Sequence, residues 1–242
     1  MKLEPFSHSG LGMLSLDRVN SGLAVNARGQ LIEVVCIGWQ RLKNVYNPTQ
    51  MTQIIHHFRT ADFEEASGAL KSLIDGTNYA PKKYVSQATK YAILKKAAEK
   101  WKSQEFSVRK AYILNYNPAA KNIKDIRKWL EHEPEQLLER LGYINPVTGH
   151  IIDPDDFCFD RITDDSEYVF QRVLPISIPL NDAKSAGTST NEFSSVDSLA
   201  ALKKQRGWEG VDDREAVCCL LQEFIRALVK ANGGFIEKLK EK

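Results

Sequence analysis

A thiolate attacks only when a base takes its proton and a third group orients that base. Cys36, His56 and His57 are the residues of this sequence that could supply such a pair. Cys36 lies in the apolar run Val34-Val35-Cys36-Ile37, where cysteine is ordinarily a core residue. No cysteine-hydrolase signature surrounds it. A cysteine-dependent enzyme centred on Cys36, with His56 or His57 as base, is one expectation to carry to the structure.

Metal chemistry asks for ligands converging at set spacings. His56 and His57 are neighbours, so on a helix their side chains diverge by about 100°. No i, i+4 histidine or carboxylate completes a site with either, and His8, His132 and His150 are scattered. Asp153, Asp155 and Asp156 resemble the start of a calcium loop but lack its glycine and terminal glutamate at their offsets. No metal and no cofactor are expected. G-x-G-x-x-G, G-K-[ST] and G-x-S-x-G are all absent, which removes the commonest nucleotide-binding and hydrolase readings.

Charge is distributed unevenly. Residues 82–128 hold thirteen Lys and Arg against Glu99, Glu105 and Asp125; residues 129–170 hold eleven Asp and Glu against Arg140 and Arg161. Tyr84, Tyr91, Trp101, Phe106, Tyr112, Tyr116 and Trp129 interleave the basic stretch, the aromatic–basic pattern of a single-strand-binding surface. Lys95, Lys96, Lys100, Lys102, Arg109 and Lys110 are the candidates for binding a partner or nucleic acid. At helical spacing, however, these lysines spread around the axis rather than forming one stripe, and the acidic stretch that follows offers neutralisation within the fold.

Pro146-Val147-Thr148, Asp153-Pro154 and Phe157–Arg161 resemble, over about sixteen residues, the opening of a U-box, the metal-free RING-like ubiquitin-ligase module. The loop between the Asp-Pro and aromatic–acid–Arg elements is shorter than that module's. No tryptophan-bearing helix follows at its distance, so the resemblance assigns no residue a role. Cys218 and Cys219 are adjacent on a helical pattern, poorly placed to bridge one another, and read as core.

These residues need a scaffold, and its elements are partly legible. Leu23-Ala24-Val25 and Leu31–Trp39 flank Asn26-Ala27-Arg28-Gly29, the pattern of a β-hairpin. Asn47-Pro48 opens a helix with Met51, Ile54, Ile55 and Phe58 on one face. A second helix is expected from Ala61 to Ile74, stopping near Gly76. A longer one is expected over 82–102, with Tyr84, Tyr91, Leu94, Ala98 and Trp101 as its core-facing stripe. Helices over 121–131 and 136–141 follow. Short strands are expected at Phe157–Phe159 and Tyr168–Leu180, with Pro175 and Pro179 confining the latter to a sheet edge. Ser194 with Asp197 has the form of a capping box for Leu199–Arg206. Asp212 opens a last helix carrying Val217, Leu220, Leu221, Phe224, Ile225 and Leu228.

The fold expected is therefore α+β and predominantly helical, a β-hairpin near the N-terminus packed on helices with a C-terminal helical pair. Its boundaries read as a main domain over 1–180, a Ser/Thr-rich linker over 181–195 and the helical pair over 196–242. With 43% hydrophobic and 26% charged residues and a net charge of +2, no global field commits the chain to nucleic acid or membrane. The strongest apolar runs, Leu31–Trp39 and Val173–Leu180, are too short to span a bilayer. Four cysteines without a framework, and no signal-peptide pattern, point to a reducing cytoplasm; an effector delivered by a signal-independent route has the same features. The function expected is that of a non-enzymatic interaction protein, an effector or adaptor binding another protein through helical surfaces. A nucleic-acid binder using residues 82–128 is the first alternative, and the Cys36 enzyme the second.

Overall fold

A computed structural model describes residues 14–18, 27–28, 32–114, 133–166, 168–184 and 195–231, with the backbone alone at 14–18, 32–37, 101, 103–114 and 231. Helices dominate, and two small antiparallel sheets complete a predominantly helical α+β fold. The chain divides into two compact units that do not follow sequence order. One gathers Met1–Ala61, Thr163–Ser166 and Ile178–Lys242; the other holds Asp62–Ile162 and Glu167–Ser177. No helix among the described residues is long and apolar enough to cross a membrane.

In the first unit, β1 (Leu14–Arg18) pairs antiparallel with β2 (Ile32–Cys36), Leu14 opposite Cys36 and Arg18 opposite Ile32. The expected partner run Leu23-Ala24-Val25 lies outside the described residues. The expected second strand is cut short, because α1 (Ile37–Val45) starts where β2 stops. An apolar run cannot by itself distinguish strand from helix. Here Trp39 and Leu42, three apart and both buried, set the helical period. Helix α1 lies against both strands of the sheet.

Helix α2 (Pro48–Arg59) begins as its sequence specifies. The Asn47 side chain accepts from the Gln50 N–H at 2.9 Å, and the Gln50 carboxamide oxygen accepts from the Asn47 N–H at 3.0 Å, closing a capping box with proline at the first turn. Met51, Ile54, Ile55 and Phe58 are buried. Three more helices belong to this unit: α6 (Ile178–Lys184), α7 (Val196–Gln205) and α8 (Asp213–Ala231). The six apolar residues expected on α8 are all buried, and α8 packs against α2 while α1 packs against α6. The Tyr46 hydroxyl donates to the Asp182 carboxylate at 2.7 Å. Helix α7 is capped one residue later than expected: the Ser195 side chain accepts from Ser198 N–H, and Val196 N–H donates to Asp165 from a remote loop at 3.0 Å. Lys203–Asp213 at 2.7 Å and Arg206–Glu223 at 2.9 Å tie α7 to α8.

The second unit holds α3 (Phe63–Asp75), α4 (Gln87–Leu114), a helical stretch over 133–140 (α5), and the pair β3 (Phe157–Arg161) and β4 (Val173–Ser177). Phe159 faces Pro175 across that two-stranded sheet, where each strand has a free edge that tolerates proline. The strand expected to run to Leu180 ends at Ser177. Pro179 is not an edge residue but sits in the first turn of α6, where its missing N–H costs nothing. Helix α4 starts later and runs further than the expected 82–102, and the helix expected at 121–131 lies outside the described residues.

Between α5 and β3 the chain makes a loop whose first part, residues 141–149, is buried. The Asn145 side chain accepts from the N–H groups of Val147 and Thr148, and Ile144 bridges Ile151. The loop docks on the start of α3, where Asp62 N–H donates to the Thr148 carbonyl at 2.8 Å. The Lys83 ammonium donates to the Gly149 carbonyl at 3.2 Å and lies 3.8 Å from the Asp62 carboxylate. Gly149 has φ +71°, and a Cβ on it would collide with the Asp62 carbonyl oxygen. Both the conformation and the space demand glycine. Gly149→Ala should therefore destabilise the protein by about 3 kcal/mol, read as a lowered urea midpoint.

Asp62 also caps α3, its carboxylate accepting from the Glu65 N–H at 3.1 Å. That bond, with Lys83 and Lys82 nearby, holds its carboxyl below the ordinary 3.8. A depressed pKa contributes stability that is complete above the unfolded value and is lost as pH falls through the lower folded one. Asp62→Asn keeps an acceptor but has no charge to titrate. The parent's advantage over this variant in urea titrations should shrink as pH is lowered below 3.8.

Candidate functional site

The thiol–imidazole candidate is placed only in part. Cys36 is the last residue of β2, and its side chain lies outside the described residues. His56 and His57 fall in the last turn of α2, His56 exposed and His57 half-buried with its ring 5.9 Å from that of Phe58. Among the described residues no three His, Cys, Asp or Glu side chains gather as metal ligands would. The acidic turn is a local structure, in which the Asp153 carboxylate accepts from the Asp155 N–H at 2.9 Å. On α8, Cys218 is fully buried and Cys219 half-buried; burial pushes both thiols up, which disfavours the reactive thiolate.

Helix α4 carries the remaining candidates, and its orientation differs from the expected one. Tyr84, just before the helix, is 85% exposed, and Tyr91 is 72% exposed. Leu94 is half-buried and Ala98 exposed. The buried positions are instead Ile93 and Ala97, four apart on the other side. The stripe of Tyr84, Tyr91, Leu94 and Ala98 thus does not face the core; the Trp101 side chain is outside the described residues.

The reason lies in the lysines that sequence reasoning turned outward. Lys96 meets Asp155 at 3.1 Å, and this bond raises its pKa. The Lys100 ammonium donates to the Phe157 carbonyl and stands 4.5 Å from the centre of the Phe157 ring. Lys90 lies 5.4 Å over the Tyr143 ring. Their stems lie along apolar surface while the ammonium groups find a carboxylate, a carbonyl and two aromatic faces. The Ile93–Ala97 side can therefore pack inward with lysines along its borders.

The basic candidates accordingly separate. Lys96 and Lys100 are engaged within the unit. Lys95 and Lys102 are exposed, Lys95 one turn after Tyr91. Arg109 and Lys110 lie on the C-terminal half of α4, their side chains outside the described residues. Sequence reasoning missed Asp155 and Phe157 as the partners that decide this. The signal available was the acidic excess of residues 129–170 following the basic one. No protein-family model matches the chain, and no curated protein or solved structure matches it.

The burial of the α8 thiols has a direct readout. In native protein at pH 8, iodoacetamide should leave Cys218 unmodified and label it only after unfolding, as followed by peptide mass spectrometry. Rapid native labelling of Cys218 would contradict its burial.

Proposed function

We propose that this protein is a non-enzymatic interaction protein that binds another protein through the outward face of α4. The observation that carries the reading is the exposure of Tyr91 on α4, 72%, and of Tyr84 just before it, 85%, on a stretch that also exposes Lys95 and Lys102. Tyrosine supplies a large contact area with a polar tip, and it is enriched where proteins meet. Two largely exposed tyrosines seven residues apart support a contact made at this stretch.

A nucleic-acid surface of residues 82–128 is the alternative. It is weakened by the engagement of Lys96 with Asp155 and of Lys100 with the Phe157 carbonyl within the unit. The unbridged thiols of Cys218 and Cys219 support a reducing, cytoplasmic setting, whether the protein originates there or reaches it as an effector.

The test is a double variant, Tyr84→Ala with Tyr91→Ala, used as bait beside the parent chain. Both side chains are largely exposed, so its stability should stay within about 1 kcal/mol of the parent. A protein captured by the parent should be lost from the variant. Retention of every captured protein would sink the reading. So would tight binding of short RNA or DNA by the parent, weakening steeply as salt is raised.

A further inference from the structure

Among its described side chains, helix α4 carries two apolar lines, and one of them is buried. Ile93 and Ala97 are buried, whereas Tyr91, Leu94 and Ala98 form a line at spacings of three and four residues with Tyr91 and Ala98 exposed. That spacing is the a/d seam of a helix–helix contact, with Tyr91 and Ala98 at a and Leu94 at d. Lys95 and Lys102, both exposed, then occupy successive e positions two turns apart, about 10.5 Å along the axis. On the opposite flank Ala97 at g is buried, and Lys90 at the preceding g is half-buried over the Tyr143 ring. A helix laid on this seam therefore meets lysines at its flanking positions, with Glu99 one turn from Lys95 and Lys102 at the outer edge.

Resting on the reading above, we infer that the partner element is an acidic amphipathic helix. Its apolar side chains cover Tyr91, Leu94 and Ala98, and carboxylates recurring every seven residues meet Lys95 and Lys102. Ala98 is small enough to let a facing backbone approach between the larger side chains.

Other occupants fit the charge less well. A second copy of α4 in antiparallel register sets Lys95 and Lys102 against their own equivalents, and in parallel register sets Lys95 towards Lys90, so like charges oppose either arrangement. The chain's own segment 115–132 carries Lys121, Lys124, Arg127 and Lys128 against Asp125 and Glu131, a basic surplus that Lys95 and Lys102 repel.

The test uses the full chain and two labelled synthetic peptides, helical and identical except that one carries Glu and the other Lys at every e and g position. Fluorescence anisotropy should show the Glu peptide bound at least about tenfold more tightly than its Lys twin, with the preference shrinking as salt rises. Lys95→Glu with Lys102→Glu should invert the preference without changing the helical circular dichroism, since both residues are exposed. Tyr91→Ala should weaken the Glu peptide without altering the charge preference. Equal binding of the twins, no binding of the Glu peptide, or its displacement by an oligouridine RNA would each overturn the inference. The two readings also fail separately. A protein captured through Tyr84 and Tyr91 that ignores the Lys95/Lys102 reversal leaves the interaction face standing and removes the acidic helix.

Discussion

A loop can be buried only if every amide and carbonyl it takes out of water finds a partner inside. In the second unit this demand falls on residues 144–149, which lie at the centre of the packing rather than on the surface where loops usually run. One side chain meets much of it. Asn145 accepts from two successive amides, the Thr148 carbonyl accepts from Asp62, and the Gly149 carbonyl accepts from Lys83. These same contacts fix where α3 begins and hold the chain that leads into α4. Tyr143, at the entry to the loop, offers its ring to Lys90 on α4 itself. The orientation of the candidate helix follows from this arrangement.

Once α4 is held there, electrostatics divides its lysines. Lys100, half-buried, has the Phe157 carbonyl and ring as partners, while Lys96 pairs with Asp155 at the surface of the same unit. The segment 153–157 supplies all of these groups, because the acidic turn precedes β3 directly. The charge asymmetry between neighbouring stretches is thus partly consumed within the unit. Among the described side chains of α4, the cations that remain exposed are Lys95 and Lys102.

The first unit shows a different economy of packing. Helices α7 and α8 span fewer than fifty residues, too few to bury a self-sufficient core, and α8 satisfies its long apolar face against α2. The α7–α8 ion pairs and the Asp165 contribution to the α7 cap orient the pair, but burial of Val217, Leu221, Phe224 and Leu228 does most to hold it. Discontinuous units of this kind arise because residues far apart in sequence complete one another's apolar faces.

Local chemistry was readable from the sequence where it is decided within a few residues. The Asn47 cap with Pro48 in the first turn, the glycine stop after α3, the buried face of α2 and that of α8 all follow from side chains that act on their own turn of helix. So does the predominantly helical α+β class. Tertiary structure alone decided which way α4 faces. Its sequence contains two apolar lines, Tyr91–Leu94–Ala98 and Ile93–Ala97, and periodicity ranks the longer and more aromatic one first. The choice depended on Asp155, Phe157 and Tyr143, more than forty residues away, which make the shorter line's flanking lysines acceptable inside. The strand-to-helix changes at Cys36–Ile37 and Ser177–Ile178 were hidden for a related reason, since a continuous apolar run is compatible with either period until a neighbour selects one.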